Sequence, residues 1–194
     1  MSPLADGLTW LPSSFPQGFS VLFARNLEPR RLLELMGCEQ DSFEVMDRDD
    51  AEELQQEDPE GRSVLRAGSV GEWAFAVQSW GAHVLESEAL DDVRAVTETV
   101  VVVSTETVPW FAYAKDGRTL CSFDPGLPDL RDGSDPDILL AHLDASGLRV
   151  GGQESNVPPV TAMLELAERA FGLGLPRRVI EQDELLAGLA EATP

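Results

Sequence analysis

The stretch from Thr99 to Asp124 constrains the fold more than any other part of this chain. Val100 to Val103 is a continuous apolar run, the pattern of a strand buried on both faces. Further on, Asp116-Gly117 separates two apolar segments. Asp and Gly both tolerate positive φ, so this dipeptide predicts a two-residue type I′ hairpin turn. The register that follows pairs Lys115 with Arg118, Tyr113 with Leu120 and Phe111 with Ser122. On the opposite face it pairs Ala114 with Thr119, Ala112 with Cys121 and Trp110 with Phe123. The Trp110–Phe123 face is then core. The other face carries Phe111, Tyr113 and Leu120, so it is either covered, a helix being the favoured cover, or it presents a binding surface. Pro109 has no N–H to give a ladder and belongs at a strand start, a bulge or an edge.

Other elements extend this hairpin on both sides. Phe19 to Phe23 reads as a first strand with Phe19, Val21 and Phe23 on one face. A helix over Pro29–Met36 follows, opened by Pro29 and closed by Gly37. Ser63–Val70 and Trp73–Trp80 form a second hairpin around Gly71-Glu72. Trp73, Phe75 and Val77 lie on one face, and Ala74 and Ala76 on the other. Ser87 caps a helix running to Val96. Asp135 caps another, with Pro136 in its first turn and Ile138, Leu139, Leu140 and Leu143 turned inward. Val160–Phe171 has a clear amphipathic period, and Glu181–Ala190 reads as a short last helix. Hairpins without strict strand–helix alternation predict an α+β fold: a mostly antiparallel sheet of five or six strands flanked by helices, with a helical C-terminal third. The expected organisation is an α+β domain over 1–147 with an irregular lead-in at 1–17. A linker at 148–159 and helices at 160–194, packed on the same domain, complete it.

Charge narrows the function. The chain carries 35 Asp and Glu against 14 Lys and Arg, a formal −21. That balance repels nucleic acid and anionic membrane, both of which need Lys and Arg to neutralise phosphate. It suits a basic protein partner or plain solubility. Residues 39–60 alone hold eleven acids against Arg48. They read as a solvated acidic loop, with a short helix at Asp49–Glu57 anchored by Leu54 as the alternative. Asp49, Asp50, Glu52 and Glu53 are its candidate contacts for a cationic partner. Met1–Asp6 shows no basic stretch or apolar core of a secretory signal, and no apolar run approaches the roughly 20 residues of a membrane span. The expected location is the cytoplasm.

Catalytic signatures are missing. Ala67-Gly68-Ser69-Val70-Gly71 lacks one glycine of a nucleophile elbow and is followed by a strand where that motif requires a helix. Cys38, Cys121, His83 and His142 are scattered, without metal-ligand spacing. Cys38 reads as a small buried hydrophobe. Asp124, Asp129 and Asp132 are weak candidates for a hard cation, since their order does not match a calcium loop. No cofactor is implied. Trp80, at a strand end beside Gly81, is the tryptophan expected to be accessible, and His83 follows it in the same loop.

Several of these segments carry a resemblance. Phe19-Ser-Val-Leu-Phe, Gly71-Glu-Trp-Ala-Phe-Ala-Val, Ser122-Phe-Asp-Pro and Gly133-Ser-Asp-Pro resemble an actinobacterial family known only as a domain of unknown function. The resemblance spans Leu8 to Gly147 and, more weakly, the last two helical segments. It implies a shared fold and brings no activity, cofactor or catalytic residue. The expected function is that of a non-enzymatic acidic protein-binding module, such as an immunity or inhibitor protein for a basic partner. One alternative is a small-ligand sensor or carrier with an aromatic pocket of Trp80, Phe111 and Tyr113. Another is an enzyme using His83 and the Asp-rich loop.

Overall fold

The computed structural model describes residues 6–86, 88–148, 150–151 and 155–191. Its strands are β1 (Gly18–Arg25), β2 (Glu44–Met46), β3 (Ser63–Val70), β4 (Trp73–Ser79), β5 (Thr99–Thr105), β6 (Pro109–Lys115), β7 (Arg118–Phe123) and β8 (Leu185–Ala190). The helices are α1 (Leu11–Ser14), α2 (Pro29–Leu35), α3 (Arg48–Glu57), α4 (His83–Glu86), α5 (Ala89–Val96), α6 (Leu140–Ala145), α7 (Pro159–Phe171) and α8 (Arg177–Gln182). The strands form a single antiparallel sheet in the order β2-β8-β3-β4-β1-β5-β6-β7. The fold is α+β as expected, but the described sheet has eight strands rather than five or six.

The extra strands come from segments whose patterns misled. Residues 185–190 are a strand, not the end of a helix, so the C-terminal third is not purely helical. Leu-Leu-Ala-Gly-Leu-Ala is short and apolar throughout, a pattern that fits either structure until its neighbours are known. In place it bridges β2 and β3, pairing Met46 with Leu185 and Val64 with Leu189. Gly188 is needed there. A Cβ built on it would stand 2.8 Å from the Phe43 ring and 2.9 Å from Cys38 Cβ. The acidic segment is likewise ordered: β2 and the ten-residue α3 stand where the sequence favours a loop, and α3 matches the alternative helix at Asp49–Glu57 to within one residue. Asp47 caps α3 by accepting the Asp50 N–H at 2.9 Å, and buried Ala51 joins Leu54 as its anchor.

The sheet is apolar on both faces and covered on both. On one, Phe19, Val21, Phe23, Phe75, Phe111 and Phe123 meet Met163, Leu164 and Ala167 of α7. On the other, Leu22, Ala74, Ala76 and Val101 meet Leu32 and Leu33 of α2 and Val93 of α5. Ala74 and Ala76 leave the room that lets α2 approach. The turn at Asp116 (φ 53°) and Gly117 (φ 73°) has the two positive φ values of the expected type. Lys115 pairs with Arg118 as expected, but a bulge between Tyr113 and Ala114 leaves Leu120 over. Tyr113 therefore pairs with Cys121, Ala112 with Ser122 and Phe111 with Phe123. That shift puts Phe111, Tyr113, Cys121 and Phe123 together under α7, while Trp110 packs on the other side. It corrects the expected Trp110–Phe123 face.

Residues 132–135 shield the β7 edge. Ser122 and Asp132 exchange backbone hydrogen bonds, and the Ser134 and Asp135 N–H groups donate to Thr119 and Leu120 carbonyls. This geometry holds the Asp135 segment against the strand. Helix α6 consequently starts only at Leu140, and Asp135 does not cap it. Leu139 and Leu143 are buried, whereas Ile138 and Leu140 are exposed. The proposed cap at Ser87 lies outside the described residues. Among the described residues no helix is long and apolar enough to cross a membrane.

Candidate functional site

Three surface clefts gather where β4 ends, β1 begins and the β5–β6 turn closes. These strands are neighbours in the sheet but distant in sequence. Trp80 sits immediately after β4 with φ at 41°, a left-handed conformation that a bulky side chain rarely adopts. Its N–H donates to the Gly18 carbonyl at 2.8 Å, which holds the turn against the start of β1. The indole is partly exposed. Trp80 and Gln17 together border all three clefts.

One cleft, about 590 Å³, lies between Trp80 and the side of α3 that bears Asp49, Glu52, Glu53 and Gln56. Helix α3 is clamped across the strand ends by side chains. Gln55 donates to the Ser79 carbonyl at 3.0 Å and accepts from the Val64 N–H at 2.9 Å. Glu52 accepts from Arg48 at 2.6 Å and from the Ser79 hydroxyl at 2.7 Å. Arg48 also lies 4.1 Å over the Phe15 ring. Glu52 is thus neutralised within the fold. Asp49 and Glu53 have no ion-pair partner among the described residues and present their charge to the cleft. Asp50 is exposed at the helix start, where its N–H serves the Asp47 cap.

The second cleft, about 580 Å³, lies on the other side of Trp80. Ser63, Gln78, His83 and the turn residues Thr105–Val108 line it. The chain passes so close over Gln78 that a Cβ at Gly81 would fall 2.0 Å from the amide nitrogen, so any larger residue there must displace the Gln78 side chain. Gln78 accepts the His83 N–H at 3.1 Å. His83 is 5% exposed, and its Nε2 lies 3.2 Å from the Met36 carbonyl.

Beneath α3, Arg66 is buried. Its Nη2 donates to the Ile180 carbonyl at 2.9 Å and its Nη1 has no partner among the described residues. Burial, and then the charge of Arg48, pulls its pKa down to about 10, so it stays cationic near neutrality.

The structure brings Trp80, Asp49, Glu52, Glu53 and His83 to adjoining clefts. It places Phe111 and Tyr113 elsewhere, under α7. The Tyr113 ring lies 4.6 Å from that of Phe171, and its hydroxyl donates to Glu98 at 2.9 Å. Asp124, Asp132 and Asp129 each accept a backbone N–H, from Gly126, Gly133 and Gly151 respectively. Their density serves loop turns. Among the described residues no group of three or more His, Cys, Asp or Glu could hold a metal ion. Gln17 and Thr105–Val108 gave no sequence signal, because they become site residues only once the strand ends align.

Residues 1–194 match the sequence pattern of a family of unknown function, DUF6461. The chain belongs to that family. No curated protein and no solved structure matches this DUF6461 member.

Proposed function

We propose that the chain is an acidic, non-enzymatic binding module for a basic protein, in the manner of an immunity protein or inhibitor, acting in the cytoplasm. The observation that carries this reading is the partly exposed Trp80 beside the carboxylates of Asp49 and Glu53, which have no ion-pair partner among the described residues. Tryptophan is enriched where interfaces concentrate their energy. A Lys or Arg side chain stacked on its face gains roughly 0.5–2 kcal/mol, and the neighbouring carboxylates add Coulomb attraction. Among the described residues Arg48 is the only Lys or Arg lining the three clefts, and it is occupied by Glu52 and Phe15. The net −21 supplies long-range steering toward a basic surface. The sensor reading loses its aromatic pocket, since Phe111 and Tyr113 lie in the core away from Trp80.

The test is a pull-down from the native lysate at low salt, with a salt step to elute and mass spectrometry to identify. The expected result is one basic protein in stoichiometric amount, released by salt. An empty bait, or only salt-insensitive proteins, contradicts the proposal.

A further inference from the structure

The imidazole of His83 belongs to the cleft of about 580 Å³ beside Trp80 and is 5% exposed. Its Nε2 stands 3.2 Å from the Met36 carbonyl. A carbonyl oxygen only accepts, so Nε2 carries the hydrogen. In a neutral ring of that tautomer the lone pair lies on Nδ1. Nδ1 has no hydrogen-bond partner among the described residues, and His83 lines the cleft, so Nδ1 is its unused acceptor there. The ring is held by Nε2 on the Met36 carbonyl, and the His83 backbone by its N–H on the Gln78 side chain, whose amide is held in turn by Gln55 at 3.3 Å. A ligand that donates to this acceptor gains a hydrogen bond to a ring already held in place.

The rest of the cleft selects the donor. Trp80 offers an aromatic face and Glu106 a carboxylate, and among the described residues no Lys or Arg lines the cleft. The lining disfavours an anion and suits a cation that also donates. A planar guanidinium meets all three groups: it stacks on an indole, donates to a lone pair and pairs with a carboxylate. We infer that this cleft is a guanidinium-binding site in which His83 Nδ1 is the fixed acceptor. The guanidinium is either that of a free small molecule or an arginine side chain of the basic partner. The second source rests on the function proposed above; the first does not.

The test uses the intact protein, labelled with ¹⁵N in its histidine rings. Exposed His142 is the internal control, assigned through His142→Gln. Without ligand, the expected His83 spectrum is that of the Nε2–H tautomer. An Nδ1–H tautomer or an imidazolium overturns the inference. Arginine amide is then added as the free probe, and a short arginine-bearing peptide as the partner-like probe. The expected result is a saturable shift of His83 Nδ1 that leaves His142 in place and weakens several-fold in Glu106→Gln. A response to the peptide alone assigns the site to a partner's arginine, and an equal response to both assigns it to the free group. No shift with either probe overturns the site while leaving the salt-sensitive capture of a basic protein to stand or fall separately.

Discussion

Replacing Gly188 with alanine separates the strand seen at 185–190 from the helix that its sequence suggests. In a helix, Gly→Ala stabilises by about 1 kcal/mol, because glycine pays the larger backbone entropy. In β8 the new methyl carbon would stand 2.8 Å from Phe43 Cε1 and 2.9 Å from Cys38 Cβ. Both distances are well inside normal carbon contact of about 3.5–4.0 Å. The Phe43 ring can turn aside, but Cys38 Cβ is fixed to a buried backbone that bridges to Ala190. Overpacking of this kind costs about 1–3 kcal/mol. A chain of this length loses about 2–4 °C of Tm per kcal/mol, so Tm should fall by about 2–12 °C in calorimetry, with a matching drop in urea midpoint. Adding Phe43→Leu should restore part of the loss. A Tm that rises on Gly188→Ala refutes the placement of β8.

Three further outcomes follow from the same physics. Burial pushes the thiols of Cys38 and Cys121 up to about 12 and about 11, so both should resist alkylation at mildly alkaline pH and react only on unfolding. Together with Tyr113, pushed up to about 12 by burial and by its bond to Glu98, they prefer their neutral forms when folded. Their contribution is complete below the ordinary values of 9.0 and 10.0 and is lost as pH rises through the raised ones, so urea midpoints should decline across that alkaline window. On the acid side, hydrogen bonds from the Arg62 side chain, then from its backbone N–H, hold the Asp58 carboxyl below its ordinary value. That contribution is present above the ordinary value of 3.8 and is lost as pH falls through the depressed one, so Asp58→Asn should flatten the acid limb of the stability curve. Gly81→Ala should cost about 1–3 kcal/mol by displacing the Gln78 amide and should loosen His83, read as a lowered Tm and a broadened His83 ring signal.

Much of the sheet was legible because its inner strands leave few alternatives. Val100–Val103 is uniformly apolar, and Phe19, Val21 and Phe23 alternate. The β3–β4 turn and the Asp116-Gly117 turn announced themselves through residues that accept positive φ. Register was legible only beside the turn, where Lys115 pairs with Arg118 and Ala114 with Thr119. One bulge at Tyr113/Ala114 moved Phe111 to the side of Phe123, and nothing in the local pattern marks where a strand takes an extra residue. Strand β8 was hidden for a different reason: its six residues acquire their identity from β2 and β3, which lie over a hundred positions away in sequence. The acidic segment looked like solvated loop because charge masked its contacts. Its helix is secured by Gln55 and Glu52 reaching strand ends rather than by an apolar stripe. Trp80 could be read as accessible from its place beside Gly81. Its neighbours Gln17 and Thr105–Val108 could not, since only the assembled sheet makes them adjacent.

The most direct test of the docking account compares charge reversals at two places, using the basic partner recovered from the pull-down. One variant carries Asp49→Lys and Glu53→Lys beside Trp80. The other carries Glu88→Lys and Asp92→Lys near α5, on the opposite face of the sheet, and changes net charge by the same amount. Affinity is measured for both and for the unaltered chain at low and high salt. The account predicts a loss of about tenfold or more, roughly 1.4 kcal/mol, for the reversal beside Trp80 at low salt. It predicts only a small, salt-screened change for the distant reversal. Equal losses from both would show that net charge alone drives binding and would contradict a docking site at Trp80.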